Sequence, residues 1–259
     1  MPELPDLTVF AESLTQLVGG KKVTDARYHR RSRLNVDPAQ LRETLIGQRV
    51  VGVRREAKGL LFSLDRGDRL FVHLMLSGGF QRTPPGEEVA YAVLTLSFDD
   101  GHALALFDPR GLATVTLNPK SGKSVLDALQ VTEESLRDIL LSKPKLTVKE
   151  CLIDQSLISG IGNAYSDEIL WQARVAPKSL AGRLPEQVIA QLARAIPTVL
   201  NEATEYLRRQ HAGMIAGEFR EHLAVHKPKA RQAPTGAPIK NEMVGQKKTY
   251  YTEEQVLYE

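Results

Sequence analysis

The first residues able to do covalent chemistry are Pro2 and Glu3, in the opening MPELPDLTVF. Proline directly behind the initiator methionine favours removal of Met1, which would leave Pro2 with a free secondary amine. An α-amino group has a lower pKa than a lysine ammonium, so such an amine can attack an electrophilic carbon at neutral pH. At a sugar C1′ the product is an iminium, whose fixed positive charge draws electrons and labilises the adjacent proton. Glu3 beside it could carry protons as acid and base. The same residues also fit a plain helix start, with Pro5 in the first turn. The second candidate is the turn ISGIGNAYSDEIL at 158–170, where Gly160 and Gly162 bracket one apolar residue. Asn163 stands there at a helix N-cap position before AYSDEILWQA. Free N–H groups and the positive dipole end at a helix start favour a phosphate, although a tight helix–turn–helix corner needs the same glycines. Lys58, in REAKGLLFSL, carries little signal by itself and reads as a solvent-exposed lysine before Gly59.

The elements that must hold these residues fall into two groups. A short helical pattern at about 5–18 is followed by roughly a hundred residues of strand character. VVGVRREAKG, LLFSLDRGDRLFVHLML and VAYAVLTLSFDDGHALALF alternate apolar and polar residues around tight turns at Arg66-Gly67-Asp68 and Asp99-Asp100-Gly101. Hairpins at this spacing predict a β-sandwich or a barrel-like sheet pair. From about 125 the pattern turns helical: VLDAL, EESLRDILLS, VKECLIDQSLI, AYSDEILWQARV and PEQVIAQLARAIPTVLNEATEYLRRQ. Pro197 in the last of these predicts a kink or a split into two helices. LNPKSGKS at 117–124 has linker composition. Beyond about 217 the helical period fades. The tail is either a disordered basic arm or, given Tyr250, Tyr251, Val256, Leu257 and Tyr258, a small β-hairpin.

At 259 residues the chain has room for two modest domains, and its ordinary hydrophobic and charged fractions (42% and 25%) argue against wholesale disorder. No apolar run approaches membrane-spanning length, and no basic-then-apolar leader opens the chain, so a cytoplasmic, nucleoid-associated protein is expected. Cys151 is the single cysteine, which excludes an internal disulfide and a cysteine-rich zinc site. The net charge of +3 is small but uneven. Residues 21–34 hold six Lys/Arg against one acidic residue, and residues 223–251 hold six against Glu242 alone. Such clusters fit a polyanion, or simply a solvated basic surface.

Taken together, these stretches resemble the formamidopyrimidine-DNA glycosylase/endonuclease VIII family. MPELPD is similar to the family's MPELPE, REAKGLLFSL to its strand-borne lysine segment, HLMLSGGF (73–80) to HLGMSG, and DPRG (108–111) to DPRR. DQSLISGIGNAYSDEILWQARVAPKSL (154–180) resembles the family's helix–two-turn–helix nearly end to end. The likeness is collinear and spans almost the whole chain. It implies an α+β protein of two domains: an N-terminal β-sandwich with an N-terminal helix (1–117), a linker (118–124) and a helix–two-turn–helix domain (125–222). A β-hairpin finger follows at 223–259. It further implies that Pro2 is the Schiff-base nucleophile and Glu3 its acid/base partner, with Lys58 holding a phosphate beside the lesion. Gly162 and Asn163 would hold another phosphate. Leu76, Arg110 and Leu112 would lie where an extruded base leaves a gap, extrusion being needed because a stacked duplex shields C1′.

Departures from the pattern accompany the likeness. Leu76 stands where methionine is common, Leu112 where a stacking phenylalanine is common, Asp6 for glutamate and Ser156 for a lysine. Relatives with a zinc finger carry four cysteines at positions that align here with Gln232, Thr235, Thr252 and Gln255. None is a good zinc ligand, so no metal or other cofactor is expected and the finger resembles the family's zincless variant. Lys247 falls at the finger's phosphate-gripping arginine, with Lys248 beside it as the alternative one residue on. His222 and His226, four apart, read as surface histidines. The implied activity is a monomeric bifunctional DNA glycosylase/AP lyase acting on damaged, chiefly oxidised, bases in duplex or single-stranded DNA. A damage-binding protein of the same fold that has lost its chemistry is the alternative. It would have no need of a free N-terminal proline beside a carboxylate.

Overall fold

The computed structural model describes residues 1–29, 33–84, 86–120 and 125–259. Arg30 and Arg31 of the first basic cluster, and residues 121–124 of the expected linker, lie outside the described residues. The chain divides into two compact units, Met1–Gly122 with Leu207–Glu218, and Lys123–Tyr206 with Phe219–Glu259.

In the first unit, helix α1 (Leu4–Val18) buries Leu4, Leu7, Phe10 and Leu14, each fully, along one stripe. Full burial of such a side chain stabilises by about 1.5–3 kcal/mol. The elements that follow are β1 (Val23–Tyr28), α2 (Pro38–Leu45), β2 (Val50–Glu56), β3 (Gly59–Leu64) and β4 (Arg69–His73). Then come β5 (Gly79–Thr83), β6 (Ala92–Phe98), β7 (Ala103–Phe107) and β8 (Thr114–Leu117). They form two four-stranded antiparallel sheets, ordered β1-β6-β7-β5 and β2-β3-β4-β8. Phe62 of one sheet meets Phe80 of the other with ring centroids 5.8 Å apart, so the alternating residues of both inner faces share a core. Helix α1 lies against β2, where the Thr15 hydroxyl donates to the Val53 carbonyl and accepts from the Val53 N–H, both at 2.9 Å. Arg208 grips Glu12 of α1 with two bonds of 2.9 and 2.7 Å.

In the second unit, β9 (Leu126–Asp127) pairs in parallel with β10 (Ile158–Ser159), between which lie α3 (Glu133–Ser142) and α4 (Val148–Ile153). After β10 come α5 (Asn163–Gln172), α6 (Glu186–Gln210), β11 (Lys240–Val244) and β12 (Lys247–Tyr251). The helical expectation for VLDAL is corrected: the two-residue strand β9 leads into a single 3-10 turn, Ala128–Gln130, capped by the Asp127 carboxylate on the Leu129 N–H. Pairing with β10 outweighs helix propensity there. Nor does α6 split at Pro197; Ile196 and Leu200 on either side are fully buried, and one missing donor does not undo that packing. The tail forms an antiparallel hairpin, with Lys240 opposite Tyr251 and Val244 opposite Lys247. It rests on a small core of Val225, Ala233 and Tyr250, with Trp171, Ala224 and Ile239 packed around it. No helix among the described residues is long and apolar enough to cross a membrane.

Candidate active site and nucleic-acid interface

Pro2 and Glu3 sit at the very head of α1. Both are buried, Glu3 to 4% exposure, and Glu3 is the helix N-cap residue. The fully buried Asp6 reaches back so that its carboxylate accepts the Glu3 backbone N–H at 2.8 Å. The shorter acid at position 6 therefore still closes the first turn, and it fixes the backbone from which Glu3 projects. The ammonium of Met1 pairs with Glu218, in the segment after α6 whose Ile215 carbonyl accepts from the Phe80 N–H at 3.0 Å. Removal of Met1 would turn the next nitrogen, that of Pro2, into the chain terminus.

Lys58 lies in the two-residue turn between β2 and β3, where Glu56 pairs with Gly59. Ala57 takes a positive φ of 50° to make that turn, and a Cβ on Gly59 would collide with the Phe71 ring. Contrary to the solvent-exposed reading, Lys58 is 7% exposed. His73, at the end of β4, has its pKa lowered by burial and then by the positive charge of Lys58. Its Nδ1 accepts the Met75 N–H at 3.1 Å, which in the neutral ring leaves the proton on Nε2.

The loop after β4 holds Leu76 at 46% exposure, an apolar side chain standing out into solvent, and Met75 before it has a positive φ of 56°. This loop is tied to the DPRG turn by the fully buried Asp108. One Asp108 oxygen accepts from the Ser77 hydroxyl (2.5 Å) and the Arg110 N–H (3.0 Å); the other accepts from Leu112 and Ala113 N–H (2.5 and 2.7 Å). Burial opposes the charge of Asp108, and these bonds outweigh it, so its pKa is held below the ordinary carboxylate value. A single carboxylate thus sets the exposed Leu76 and Arg110, and the half-buried Leu112, in one arrangement.

In the second unit the glycine turn is propped by Gln155. Its Nε2 donates to the Ile153 and Ile161 carbonyls (2.8 and 2.7 Å), and its Oε1 accepts the Gly160 N–H (3.1 Å). Gly160 itself has φ +104°, open to glycine alone at little cost. One expectation is corrected here: Gly162 is the N-cap and Asn163 is the first residue of α5. The extended backbone needed at a cap falls on the residue before Asn163. The Asn163 side chain instead donates from Nδ2 to the Lys248 carbonyl at 2.9 Å, joining the helix start to β12.

A second link runs through Asp167, fully buried with Lys149. One oxygen of Asp167 pairs with the Lys149 ammonium, which also reaches Ser166 Oγ at 3.0 Å. The other accepts from His226 Nδ1 (2.7 Å) and from the Tyr250 N–H (3.0 Å). Glu168 beside it accepts the backbone N–H groups of Ala224, Val225 and His226 at 2.6–2.9 Å. His222 stacks on Tyr206 at 4.7 Å and meets the Tyr165 hydroxyl at 3.1 Å. The reading of His222 and His226 as surface histidines needs correction in one respect: each is only half-exposed and built into a contact. Lys247 and Lys248 are exposed at the start of β12, with the Lys248 ammonium 5.4 Å over the Tyr250 ring. Among the described residues no group of three or more His, Cys, Asp or Glu could hold a metal.

Comparison with known proteins identifies the arrangement. Residues 1–115 match the family model of the formamidopyrimidine-DNA glycosylase N-terminal domain, and residues 126–211 that of the formamidopyrimidine-DNA glycosylase H2TH domain. The chain belongs to the formamidopyrimidine-DNA glycosylase family. The formamidopyrimidine-DNA glycosylase of Chloroflexus aurantiacus is 32% identical over 266 residues, covering 97% of this chain and 96% of that protein. The relative from Roseiflexus is 33% identical over 274 residues, covering 98% and 99%. The Lactococcus lactis enzyme, solved in complex with DNA containing an abasic site, superposes with a TM-score of 0.87 over 98% of this chain and 99% of that one; at 23% identity this likeness speaks for the fold. As a member of the family, the chain is a DNA glycosylase of base-excision repair, and the family couples base release to AP lyase activity.

Sequence reasoning named Pro2, Glu3, Lys58, Leu76, Arg110, Leu112, Gly162, Asn163 and Lys247. It missed the contacts made by Asp108, His73 and Asp167, and it placed His226 at the surface. Asp108 was legible in principle, since an Asp four residues before Leu112 and followed by Pro and Gly signals a side-chain-capped turn. Asp167 carried no such signal, because its partners lie 18, 59 and 83 residues away.

Proposed function

We propose that the chain is a bifunctional DNA glycosylase/AP lyase in which Pro2, freed by loss of Met1, attacks C1′ of a damaged nucleotide. The amine forms the N–C1′ bond, the glycosidic bond breaks, and the base departs with the electron pair. Loss of the amine's proton leaves a neutral N-glycoside. Ring opening then breaks the C1′–O4′ bond, O4′ taking the electron pair and a proton from Glu3, which leaves the iminium at C1′. Loss of a C2′ proton then drives β-elimination, cleaving the C3′–O bond, and a further elimination on the 5′-phosphate side completes strand scission. Glu3 is the proton carrier in this reading. The observation that carries it is Glu3 buried at the head of α1, beside Pro2, with its backbone held by Asp6. Binding alone requires no carboxylate at that place.

Residues 1–117 carry the chemistry in this proposal, 125–222 the main DNA contacts, and 223–259 a zincless finger. Lys58 and Asn163 with Gly162 take phosphates flanking the lesion, and Leu76, Arg110 and Leu112 fill the gap left by the extruded base. The exposure of Leu76 supports a wedge. The engagement of Lys248 with Tyr250 supports Lys247 as the finger's phosphate contact. Oxidised bases are the proposed substrates, in duplex or single-stranded cytoplasmic DNA, with the enzyme acting as a monomer. Leu112 in place of an aromatic residue favours a substrate range wider than 8-oxoguanine opposite cytosine.

Borohydride trapping on abasic-site DNA tests the mechanism. Wild type should give a covalent adduct that Pro2→Ala and Pro2→Gly lose. An undiminished adduct in those variants, or none in wild type, would sink the proposal. A lesion panel scored separately for base release and strand cleavage then sets the substrate range.

A further inference from the structure

The positions that align with metal ligands, Gln232, Thr235, Thr252 and Gln255, bracket the β11–β12 hairpin, and the side chains of Thr235, Thr252 and Gln255 have other partners here. Ahead of β11 the chain makes a tight turn, in which the Ala233 N–H donates to the Ala237 carbonyl at 2.9 Å and Gly236 takes φ +88°. Beyond β12 a second turn closes on itself: the Thr252 N–H donates to Gln255 Oε1 at 2.9 Å, and Gln255 Nε2 donates to the Val175 carbonyl at 2.8 Å. Thr252 and Gln255 are 1% and 7% exposed, so this turn is part of the interior. The two turns meet at one atom. Oε2 of Glu254 accepts from Thr235 Oγ1 (2.9 Å), from Thr252 Oγ1 (3.1 Å) and from the Arg174 guanidinium (3.1 Å). Arg174 lies just past α5 and stacks over Trp171 at 4.8 Å, so the third bond ties the hairpin base to the helix domain.

We propose that Glu254 is the positioning residue of the hairpin, its carboxylate joining at one point the turns that a tetrahedral metal would otherwise join. This deepens, and rests on, the reading of β11–β12 as the DNA-contacting finger. A metal binds four side chains and needs deprotonated thiolates or imidazoles. A carboxylate needs only donors, and two threonine hydroxyls with one guanidinium supply them. Bonds to an ionised acceptor are stronger than neutral ones, which suits one oxygen gathering three partners. Two further anchors make a metal-strength centre unnecessary. Asp167 holds the Tyr250 N–H and His226, and Tyr250 is buried in its own small core. Glu254 thus controls the angle of the hairpin base, while Asp167 holds the strand itself.

The test uses the full-length protein with Glu254→Ala and Glu254→Gln, Lys247→Ala, and the pair Glu254→Ala/Lys247→Ala. Glu254→Ala should weaken binding to duplex carrying an abasic-site analogue a few-fold, as much as Lys247→Ala does, the loss expected when a preorganised contact becomes mobile. The single-turnover rate at saturating enzyme should stay unchanged. In the pair, the second substitution should add almost nothing, because the lysine's contact is already lost. Amide exchange should quicken across β11 and β12 and not in α1 or β2–β4. Installing Gln232→Cys, Thr235→Cys, Thr252→Cys and Gln255→Cys on Glu254→Ala should restore affinity when zinc is bound and lose it again with a chelator. Binding by Glu254→Ala within twofold of wild type while Lys247→Ala is impaired would overturn the proposal. So would fully additive losses, or a zinc-loaded four-cysteine variant that stays weak. If Lys247→Ala itself binds normally, the finger reading has failed. The exchange rates of β11 and β12 in Glu254→Ala then still decide whether Glu254 holds the hairpin.

Discussion

The head of α1 and the β11–β12 hairpin both present charged groups on short elements, and they are held in opposite ways. Glu3 is part of a helix whose Leu4, Leu7, Phe10 and Leu14 are fully buried, with Asp6 three residues away closing its first turn. Its placement comes from local sequence and a continuous apolar stripe. The hairpin has one buried aromatic residue, Tyr250, and its hold comes from polar atoms contributed over 80 residues of chain. A pair of side chains at the head of a helix cemented by apolar packing tolerates little movement. A hairpin held by hydrogen bonds can be loosened without unfolding anything else.

The sharpest way to break this comparison is at Pro2. Any residue left ahead of it, such as an uncleaved tag, should reduce borohydride-trapped adduct to background while leaving the circular dichroism unchanged. Glu3→Gln comes next. It keeps the backbone N–H that Asp6 accepts, so α1 should form as before, and turnover should fall by about 10²–10⁴-fold for loss of a proton carrier. A variant that also loses helix content would show that Glu3 matters to the fold rather than the chemistry.

Asp108→Ala should cost the first unit stability as well as the arrangement of the Leu76 loop and the DPRG turn. It leaves the Arg110, Leu112 and Ala113 N–H groups without their acceptor, at about 1–3 kcal/mol for each that water does not reach. The pH dependence has a definite sign. The folded pKa of Asp108 lies below its unfolded value, so its contribution is fully present above that unfolded value of 3.8. It is lost as pH falls through the folded pKa. Urea unfolding at neutral pH and near pH 3 should show wild type losing more stability on acidification than Asp108→Asn does.

What could be read in advance divides along the same line. The amphipathic helix at 5–18, the strand pairs around Arg66-Gly67-Asp68 and Asp99-Asp100-Gly101, and the glycine turn before Asn163 are local patterns. They appear in the structure as α1, β3–β4, β6–β7 and the approach to α5. The cap shift from Asn163 to Gly162 is a one-residue boundary that propensity does not resolve. β9 was invisible because a two-residue strand has no period, and only its pairing with Ile158–Ser159 defines it. His226 reads as a surface histidine, and Asp167 and Glu254 carry no mark at all, since nothing nearby in sequence shows which carboxylate will gather distant partners. Lys58 misled for the same reason: a lysine in a two-residue turn gives no local sign that it will be buried.

The smallest expected effects lie at the hairpin, and they separate its two anchors from the contact it makes. His226→Phe keeps an aromatic ring near Tyr250, with which His226 makes an edge-on contact at 4.9 Å, and removes the bond to Asp167. Lys149 and the Tyr250 N–H still satisfy that carboxylate, so global stability should change little and lesion-DNA affinity should fall a few-fold. Lys247→Ala should weaken binding by a similar factor and lower the slope of log K against log salt by about 0.9, the value for one phosphate contact. His226→Phe alone should lower the slope by less, because the lysine still reaches the phosphate part of the time. Lys247→Arg should restore the slope and improve affinity slightly, since a guanidinium fork holds a phosphate more directionally than an ammonium. Equal slopes in all four proteins would mean that the hairpin positions something other than Lys247 on the DNA.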